Sequence, residues 1–485
     1  MEGAATDILV LPFFGQGHLF PCSELCKRLS SHNRKSILII PSHLSSSIPS
    51  DLHRHPSVHV FQIPPLPLDT VSDSLGPGIE SFLSTTYQNV RPAFVVIDVL
   101  MSWTKPIFKK FNIPIVSFFT SGACATIMEY AASKAEADGT GPVPARTLPG
   151  LPDSIAMSDM DVKRRDRRRK DRAGGRPRGL NLGPNMGPPR SGPLGRWMDQ
   201  TEDSVALITN TCDDLEAPFL EYLSGQAGKP VFGVGPLLSD SFWRSIGSVV
   251  RDGDSRPGRE TNYTEAEVIQ WLDSKPRGSV IYVSFGSEVG PSVVEYNELA
   301  EALAETEKSF IWVIQPGAGK PGPPANMFGG KAASAPDSEE EEGGYEPRGL
   351  EETVGDRGLL IKGWAPQLSI LSHPSTGGFL SHCGWNSTVE AICCGVPILG
   401  WPIRGDQFYG ANLVAKYLNV GSKVEISDEE SIMVKKIDVI RGIKAVMDDG
   451  EVRERAMALR GIFEGGYPST SAAALEALVQ LVTKN

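Results

Sequence analysis

The strongest concentration of reactive side chains follows an apolar run late in the chain. A strand predicted over Gly378–Ser381 breaks at His382 and Gly384, and a helix then begins. A helix start presents unpaired backbone N–H groups and a partial positive charge, and glycine lets a phosphate approach them closely. Asn386 and Ser387 can add side-chain donors. The pattern predicts an anion site, although the chain contains no P-loop sequence.

A second candidate is His18, which follows an apolar run and a turn that contains Gly15 and Gly17. An imidazole titrates near neutrality, so it can remove a proton from a hydroxyl that becomes a nucleophile. The alternative interpretation is a structural histidine. Asp98 ends another apolar run and could fix the tautomer of such a base. It could equally be a helix cap or a turn residue, since aspartate favours both.

Candidate metal ligands are weak. The pairs Asp159/Asp161 and Asp252/Asp254 could hold a divalent cation on a diphosphate. Both pairs lie in polar sequence and neither follows an apolar strand, so solvated loop charge is the preferred interpretation. The seven cysteines show no paired C-x-x-C spacing and no secreted disulfide pattern. We therefore expect no metal and no cofactor.

The composition is that of an ordinary folded protein of 485 residues. Apolar residues make up 40% and charged residues 22%, which excludes disorder throughout. The formal net charge of −11 argues against a general nucleic-acid or anionic-membrane binder, because both need a basic surface. No apolar run is long enough to span a membrane, and the first one lacks the basic start of a signal peptide. We expect a cytoplasmic monomer.

Short apolar runs alternate with amphipathic stretches, which is typical of an α/β fold with doubly wound parallel sheets. A second series of strands begins after a loop-rich passage, so we expect Rossmann-like domains at 1–245 and 246–465, with a binding cleft between them. A C-terminal helix in 466–485 is expected to pack back on the first domain. The predicted strands are Ile8–Phe14, Ser36–Ile40, Val58–Ile63, Phe94–Val99, Ile113–Phe119, Val205–Ile208, Val280–Phe285, Phe310–Ile314, Leu359–Lys362, Gly378–Ser381 and Val396–Trp401. Helical patterns lie at Ser23–Leu29, Thr104–Phe111 and Glu295–Leu303, and a capping box lies at Thr264–Glu267.

Two segments, at about 161–197 and 316–345, are predicted to be flexible loops. In the first, ten of the sixteen residues of Lys163–Arg178 are Lys or Arg. A basic run can bind nucleic acid or a membrane, but no aromatic residues interleave with these charges. A solvated mobile loop is therefore the preferred interpretation. The second segment is rich in Gly and Pro and ends in the acidic run Asp337–Glu342.

The stretch Trp364–Gln407 resembles the 44-residue signature box of plant secondary-product UDP-glycosyltransferases. Three blocks carry the resemblance, Trp-Ala-Pro-Gln, His-Cys-Gly-Trp-Asn-Ser-Thr-Val-Glu and Trp-Pro-Ile-Arg-Gly-Asp-Gln, and the box has neither gap nor insertion. The family implies the GT-B fold, in which two Rossmann-like domains face each other across a cleft. The first domain would take the acceptor and the second the UDP-sugar. Further similarity covers most of the chain, including His18, Asp98, 119–122, 213–216 and 283–287.

The resemblance also implies roles for single residues. His18 would be the general base and Asp98 its partner. Trp364 would stack on uracil, and Glu390 would accept hydrogen bonds from the ribose. The implied UDP-binding residues are Ser287, Trp364, Ala365, Gln367, His382, Gly384, Trp385, Asn386, Ser387 and Glu390. The implied sugar-binding residues are Thr120, Asp406 and Gln407, and a glutamine at the end of the box usually accompanies glucose.

The function implied by the resemblance is that of an inverting hexosyltransferase. UDP would depart toward the start of the helix after Cys383, whose fixed dipoles substitute for a metal. We expect UDP-glucose as co-substrate and a small lipophilic acceptor, first a flavonoid or other phenolic and next a terpenoid, in a pocket shaped by Phe14, Phe119 and Trp197. The alternatives are C-glycosylation of a phenolic ring, a non-catalytic UDP-sugar-binding protein and a sugar-nucleotide epimerase.

The chain departs from the family pattern in three places. Lys163–Arg196 matches no family block and replaces a loop that normally overhangs the acceptor cleft. Pro316–Gly344 is longer than usual, and Gly410 stands where the family mostly has a polar residue. These departures affect the acceptor pocket rather than the donor site.

Overall fold

The structure, a computed structural model, describes most of the chain. The described residues are 7–31, 34–64, 71–137, 148, 150–174, 201–251, 261–287, 290–319, 344–428 and 430–483. Trp197 and the pair Asp252/Asp254 lie outside them, as do the acidic run 337–342 and most of the predicted second loop.

The first sheet has seven parallel strands in the spatial order β3-β2-β1-β4-β5-β6-β7. The central strands are buried on both faces, which explains why their sequences are continuously apolar instead of alternating. The strands are β1 Asp7–Leu11, β2 Lys35–Pro41, β3 Val58–Ile63, β4 Phe94–Asp98, β5 Ile115–Phe119, β6 Ala206–Thr209 and β7 Val231–Gly233.

The second sheet has six parallel strands in the order β10-β9-β8-β11-β12-β13. The strands are β8 Val280–Ser284, β9 Ser309–Ile314, β10 Gly358–Lys362, β11 Thr376–Ser381, β12 Ile398–Gly400 and β13 Gly421–Lys423. The predicted fold class, two doubly wound parallel sheets, is confirmed. Every strand predicted from the sequence is present, β3 with the predicted bounds and the others with shifted ends. The strands β7 and β13 were not predicted, because both are short and neither lies in a continuous apolar run.

Helices connect the strands and cover both sheets. In chain order they are α1 Gln16–Ser30, α2 Ser50–Arg54, α3 Val71–Thr86, α4 Lys105–Lys110, α5 Ala123–Ala137, α6 Asp159–Gly174, α7 Asp213–Ala227, α8 Asp240–Ser245, α9 Glu265–Asp273, α10 Val293–Glu305, α11 Leu350–Val354, α12 Gln367–Ser372, α13 Trp385–Cys394, α14 Gln407–Asn412, α15 Lys436–Met447, α16 Gly450–Gly461 and α17 Ser469–Thr483. The predicted capping box at Thr264 is confirmed, and a second one joins Ser292 to Glu295 at the start of α10. No helix among the described residues is long and apolar enough to cross a membrane.

The last helix, α17, returns to the first sheet. Its residues Leu475, Leu478 and Val482 belong to the same core as strands β1 to β5. Ser471 Oγ donates to the carbonyl of Gly235, 2.5 Å away, just after β7. Helix α17 therefore packs against the first sheet.

The described part of the basic segment is a helix and not the solvated loop that we predicted. Residues 175–197 of the predicted loop lie outside the described residues. Residues 159–174 are the helix α6, and Arg164 and Arg165 are buried. The reason is that partners come from the other domain, since Arg164 pairs with the buried Glu295 at 3.4 Å. Arg167 also donates to the carbonyl of Ser431 at 2.7 Å. A sequence pattern cannot show partners that lie more than a hundred residues away.

Asp161 is likewise a structural residue and not part of a polar loop, so our expectation for the pair Asp159/Asp161 was wrong at Asp161. Its carboxylate lies 2.6 Å from Lys423 Nζ, and both side chains are largely buried, at 6% and 15% exposed. Burial alone would raise the pKa of Asp161, but the charge of Lys423 and the hydrogen bonds from Ser158 hold that pKa below its ordinary value. The pair thus ties α6 to β13 of the second sheet.

We expect Lys423→Met to lower the free energy of unfolding by about 3 kcal/mol, because it leaves the Asp161 carboxylate buried without its cation. Urea unfolding followed by tryptophan fluorescence measures the change. The matched control is Lys362→Met, since the pair of Lys362 with Glu346 is more than half exposed on both sides. The free energy of unfolding of that variant should fall by less than about 1 kcal/mol. Equal losses in the two variants would show that the buried pair contributes nothing special.

Candidate active site

The candidate site lies where the strand order of each sheet reverses. In the first sheet this point falls between β1 and β4, and in the second between β8 and β11. The carboxyl ends of such strand pairs form a crevice that is the usual binding position in open α/β sheets. His18 and Asp98 follow β1 and β4, whereas Ser287 and His382 follow β8 and β11. The topology therefore places the sequence-predicted residues at the two crevices.

His18 and Asp98 form the pair that the sequence suggested. His18 Nδ1 lies 2.7 Å from Asp98 Oδ2, and Asp98 is buried while the imidazole is 23% exposed. The other carboxylate oxygen, Oδ1, accepts from the backbone N–H of Leu100 at 2.9 Å and caps the 3₁₀ turn Val99–Thr104. Asp98 is thus both a helix cap and a histidine partner. The two interpretations that the sequence left open are both correct, with one oxygen for each.

Thr120, which was expected to reach the sugar, lies at the imidazole. Its Oγ1 is 3.0 Å from His18 Nδ1, the same nitrogen that faces Asp98. A carboxylate only accepts, so Nδ1 carries the proton, and the hydroxyl of Thr120 shares that N–H with Asp98. This assignment leaves Nε2 of the neutral ring as the proton acceptor.

Phe13, which the sequence analysis did not name, is an aromatic neighbour of His18. The rings of Phe13 and His18 meet edge to face at 5.2 Å between centroids, and Phe13 is half-buried. Phe14 stacks behind Phe13 at 5.4 Å and is itself buried, as is Phe119. Phe13 therefore forms an apolar surface beside the imidazole.

The start of α13 is open toward the crevice. Cys383 takes a left-handed backbone conformation, with φ of 60°, and Gly384 follows as the N-cap without a side-chain cap. The first N–H groups of an α-helix have no partner inside the helix. These N–H groups follow the end of β11, and the anion site predicted there stays a prediction.

His382 lies between two glycines. A Cβ at Gly286 would lie 2.7 Å from His382 Nε2, and a Cβ at Gly384 would collide with the same atom. Any larger residue at either position would displace the ring. Burial of the ring lowers the pKa of His382 to about 4, and a hydrogen bond with the backbone of Ser284 opposes this only in part. The imidazole is therefore neutral at physiological pH and can donate one N–H.

Residues expected at the nucleoside bind one another. The amide nitrogen of Gln367 donates to Glu390 Oε2 at 2.5 Å and to Ser387 Oγ at 3.1 Å. Tyr282 OH donates to the amide oxygen of Gln367 at 3.1 Å. Trp364 and Ala365 lie just before Gln367, in the turn after β10. Gln367, Glu390 and Ser387 thus form one hydrogen-bonded cluster, and Trp364 and Ala365 adjoin it in the sequence.

Two other members of the signature box reach the first domain. Trp385 Nε1 donates to the carbonyl of Asn210 at 2.5 Å, and Asn386 Nδ2 donates to the carbonyl of Gly17 at 3.0 Å. These side chains were expected at UDP. In this structure they join the two domains, and their contact with UDP stays a prediction. Gly17 precedes His18, so the bond from Asn386 brings the residue before the imidazole to the first turn of α13.

The loop with Asp406 and Gln407 completes the site from the second domain. The amide oxygen of Gln407 accepts from the backbone N–H groups of Ile403 and Arg404 at 2.9 and 3.0 Å, which leaves its NH₂ group as the part that can donate to a ligand. Burial raises the pKa of Asp406, while the charges of Arg404 and His18 oppose the shift.

Gly410, a departure from the family pattern, has a structural reason. A Cβ at this position would lie 2.7 Å from the carbonyl oxygen of Cys383. Helix α14 therefore packs directly on the turn before α13. Among the residues that the structure describes, no group of three or more His, Cys, Asp or Glu side chains could hold a metal ion.

The sequence analysis missed Asn210, Tyr282 and the role of Glu216. Glu216 is buried and accepts from the N–H groups of Ala123 and Cys124 at 2.9 and 2.8 Å, which caps α5. Burial raises the pKa of Glu216, and hydrogen bonds from Thr211 and the two N–H groups oppose the rise. An acidic residue in an apolar helix face was the signal for Glu216. For Asn210, the only sequence feature that could have indicated a role at the site was its position directly after a strand.

Comparison with known proteins agrees with this geometry. The family described as UDP-glucoronosyl and UDP-glucosyl transferase matches residues 258–465. UDP-glycosyltransferase 73C7 of Arabidopsis thaliana is 29% identical, over 92% of this chain and 90% of the relative. UDP-glycosyltransferase 73E1 of Stevia rebaudiana is 27% identical, over 94% and 93%. The matched region contains the whole second sheet and the signature box.

Solved structures share the fold. A Polygonum tinctorium UDP-glucosyltransferase complexed with 3,4-dichloroaniline has a TM-score of 0.70 and 24% identity, and 99% of each chain is covered. Medicago truncatula UGT71G1, complexed with UDP-glucose, has a TM-score of 0.72 and 22% identity, over 99% of this chain and 98% of that one. Both show the GT-B arrangement of two Rossmann-like domains.

The fold is the GT-B arrangement of two Rossmann-like domains. The family match over residues 258–465, together with relatives named as UDP-glycosyltransferases that match more than 90% of the chain, supports a plant UDP-glycosyltransferase, which is a transferase.

The low pKa of His382 predicts a pH dependence of stability. Between about pH 6.5 and pH 4 the unfolded chain binds a proton on this residue that the folded chain does not, so stability falls as the pH falls. Between about pH 7 and pH 4.5, we expect the Tm of His382→Gln to fall less than the Tm of the parent protein, because the variant lacks this titration. The exposed residue His59 provides the control, and His59→Gln should keep the parent's slope. Parallel Tm profiles of parent and His382→Gln would contradict the assignment.

Proposed function

We propose that the protein transfers glucose from UDP-glucose to a hydroxyl group of a small lipophilic acceptor, with inversion at the anomeric carbon. One observation carries the proposal. The His18–Asp98 pair of the first domain is held against the start of α13 in the second domain by the bond from Asn386 to Gly17. A base and an anion site on opposite sides of one crevice suit a displacement in which a hydroxyl attacks and a diphosphate leaves.

His18 serves as the general base in this proposal. Asp98 fixes the proton on Nδ1, so Nε2 can accept the acceptor's hydroxyl proton as that oxygen attacks. The buried carboxylate then stabilises the imidazolium that forms. Because Asp98 also accepts a hydrogen bond from the backbone N–H of Leu100, its position does not depend on His18. The ring is therefore preorganised before any substrate binds.

The leaving diphosphate is assigned to the N–H groups at the start of α13 and to His382. A neutral imidazole can donate one N–H without repelling the backbone donors, and its low pKa keeps it neutral. These dipoles are in place before the bond breaks, so they stabilise the developing charge without reorganisation. We expect the reaction to proceed without an added divalent cation.

The nucleoside and the sugar are assigned to the remaining residues of the signature box. Glu390, which accepts a hydrogen bond from Gln367, would accept from ribose hydroxyls beside Trp364 and Ala365. Asp406 and the NH₂ group of Gln407 would bind sugar hydroxyls, with the amide oxygen already committed to its own loop. A glutamine at this position favours glucose as the transferred sugar.

The acceptor is proposed to be a flavonoid or other phenolic, and next a terpenoid. The half-buried ring of Phe13 beside His18 offers an apolar surface where a hydroxyl-bearing ring can lie. The relatives support this range. Anthocyanin 3'-O-beta-glucosyltransferase of Gentiana triflora is 27% identical over 96% of both chains, and Mogroside I-E synthase of Siraitia grosvenorii is 28% identical over 94% and 92%.

Replacement of the base tests the mechanism. We expect His18→Ala to lower kcat by about 10²-fold or more, the usual scale for a general base. UDP affinity, measured by calorimetry, should stay within about threefold, because the proposed UDP contacts lie on the second domain. His59→Ala is the control and should keep full turnover. Full O-glucosylation by His18→Ala would refute the proposed base.

A product screen tests donor and acceptor. We expect incubation with UDP-glucose and a mixed phenolic and terpenoid library to yield hexose adducts by mass spectrometry, with UDP-glucose preferred over UDP-galactose by about tenfold or more. Acid-stable adducts would indicate C-glycosylation. Tight UDP-glucose binding without any adduct would favour a binding protein, and a changed sugar in the absence of acceptor, seen by proton NMR, would favour an epimerase.

A further inference from the structure

Asn210 occupies the junction of the two domains, although neither the family motif nor the proposed chemistry uses it. It follows β6 at the carboxyl edge of the first sheet and is 1% exposed. Its backbone N–H donates to the carbonyls of Phe119 and Ser121 at 3.1 and 3.3 Å. Its side-chain oxygen accepts from the N–H of Leu237 at 2.8 Å. The residue is therefore fixed within the first domain from both sides.

The remaining polar groups of Asn210 reach the second domain. Its carbonyl accepts from Trp385 Nε1 at 2.5 Å, and its Nδ2 donates to Asn386 Oδ1 at 3.3 Å. Trp385 and Asn386 are the first two residues of α13. One buried residue thus holds the beginning of the helix to which the proposal assigns the leaving diphosphate.

Asn210 is also connected to the proposed base, His18, through Thr120. The same Nδ2 donates to the carbonyl of Thr120 at 3.4 Å, and the hydroxyl of Thr120 lies 3.0 Å from His18 Nδ1. Asn386 in turn donates to Gly17, the residue before His18. These hydrogen bonds form a closed circuit, the ring through His18, that runs from the imidazole to Thr120, Asn210 and Asn386 and returns through Gly17. It connects the proposed base with the start of α13, to which the leaving diphosphate is assigned.

The surroundings leave Asn210 little freedom to move. A Cβ at Gly235 would collide with the backbone and side chain of Asn210, so the two backbones are in close contact. A Cβ at Gly122 would lie 2.8 Å from the indole of Trp385 and 2.5 Å from Glu216 Oε2. The indole is therefore seated against the capped start of α5. Close packing of this kind transmits a displacement instead of absorbing it.

We infer that Asn210 is a positioning residue for glycosyl transfer, which sets the distance between the imidazole of His18 and the start of α13. It touches neither substrate in this scheme and acts through Thr120, Trp385 and Asn386. The inference rests on the proposed function, because it assumes that His18 is the base and that the diphosphate binds at α13. A misplacement of about 1 Å between reacting groups can cost on the order of 10²-fold in rate.

The test is Asn210→Asp. The variant keeps an oxygen for the N–H of Leu237, but it places a second oxygen against the carbonyl of Thr120 and the side-chain oxygen of Asn386. We expect kcat to fall by about 10- to 100-fold, with the KM for UDP-glucose and the Kd for UDP within about threefold. Steady-state kinetics and calorimetry, both well below the variant's Tm, measure the split.

The matched control is Asn412→Asp. Asn412 is also a buried asparagine that joins the domains, since its Nδ2 donates to the carbonyls of Ile155 and Ala156 at 3.1 and 2.9 Å. It lies on α14 and its bonds do not involve the ring through His18. We expect Asn412→Asp to lower Tm while keeping kcat within about twofold. Similar kcat values for the two variants would overturn the inference, because destabilisation of the interface would then explain both.

The outcomes separate the inference from the proposed function. If His18→Ala is inactive and Asn210→Asp is not impaired in kcat, the inference fails and the proposed function stands. If His18→Ala is fully active, the proposed function itself fails. A rise in KM or in the Kd for UDP with unchanged kcat would mean that the new charge acts only on the diphosphate, which also overturns the inference.

A second variant tests the inference if Asn210→Asp does not fold. Trp385→Phe removes the indole N–H that donates to Asn210 and keeps an aromatic ring against Gly122. We expect kcat to fall by about threefold to tenfold at unchanged UDP affinity, the effect of one lost hydrogen bond. In a double-mutant cycle with Asn386→Ala, the combined loss should be less than the product of the single losses. Unchanged kcat in Trp385→Phe, or independent losses in the cycle, would contradict the inference.

Discussion

The hydrogen bond from Asn386 to the carbonyl of Gly17 brings the chemistry of two domains into one place. Gly17 precedes the imidazole, and Asn386 lies in the first turn of the helix with open N–H groups. Neither group is useful alone, because a base without a leaving-group site, or a diphosphate site without a base, transfers nothing. In the proposed mechanism, the contact between the domains is therefore part of the catalytic apparatus. The indole bond from Trp385 to Asn210 strengthens the same junction.

Two different kinds of rigidity support this junction. On the first domain, Asp98 is fixed by Leu100 and fixes His18, while Glu216 caps the helix that follows Thr120. On the second domain, the ring of His382 is held between two glycines whose missing side chains make room for it. Burial of carboxylates and imidazoles is unfavourable unless partners compensate it, and in this crevice each buried group is used to orient another.

The segment around α6 shows how the acceptor side depends on the donor side. Its buried residues Asp161 and Arg164 pair with Lys423 and Glu295 of the second domain. A wall that the chain order assigns to the first domain is thus anchored to the second.

The sequence by itself determined the two-sheet fold, because strands buried on both faces must be continuously apolar and the helical patterns between them leave few topologies. It also predicted an anion site at His382 and Gly384 and the pairing of His18 with Asp98, since glycine turns and strand ends are local signals, and the pair is present in the structure. The resemblance of the signature box then implied the donor residues. Only the tertiary structure decided that Trp385 and Asn386 cross to the other domain, that Thr120 lies at the imidazole and that Arg164 is buried. Each of these depends on partners more than a hundred residues away, whose approach is set by domain packing and leaves no periodicity in the chain.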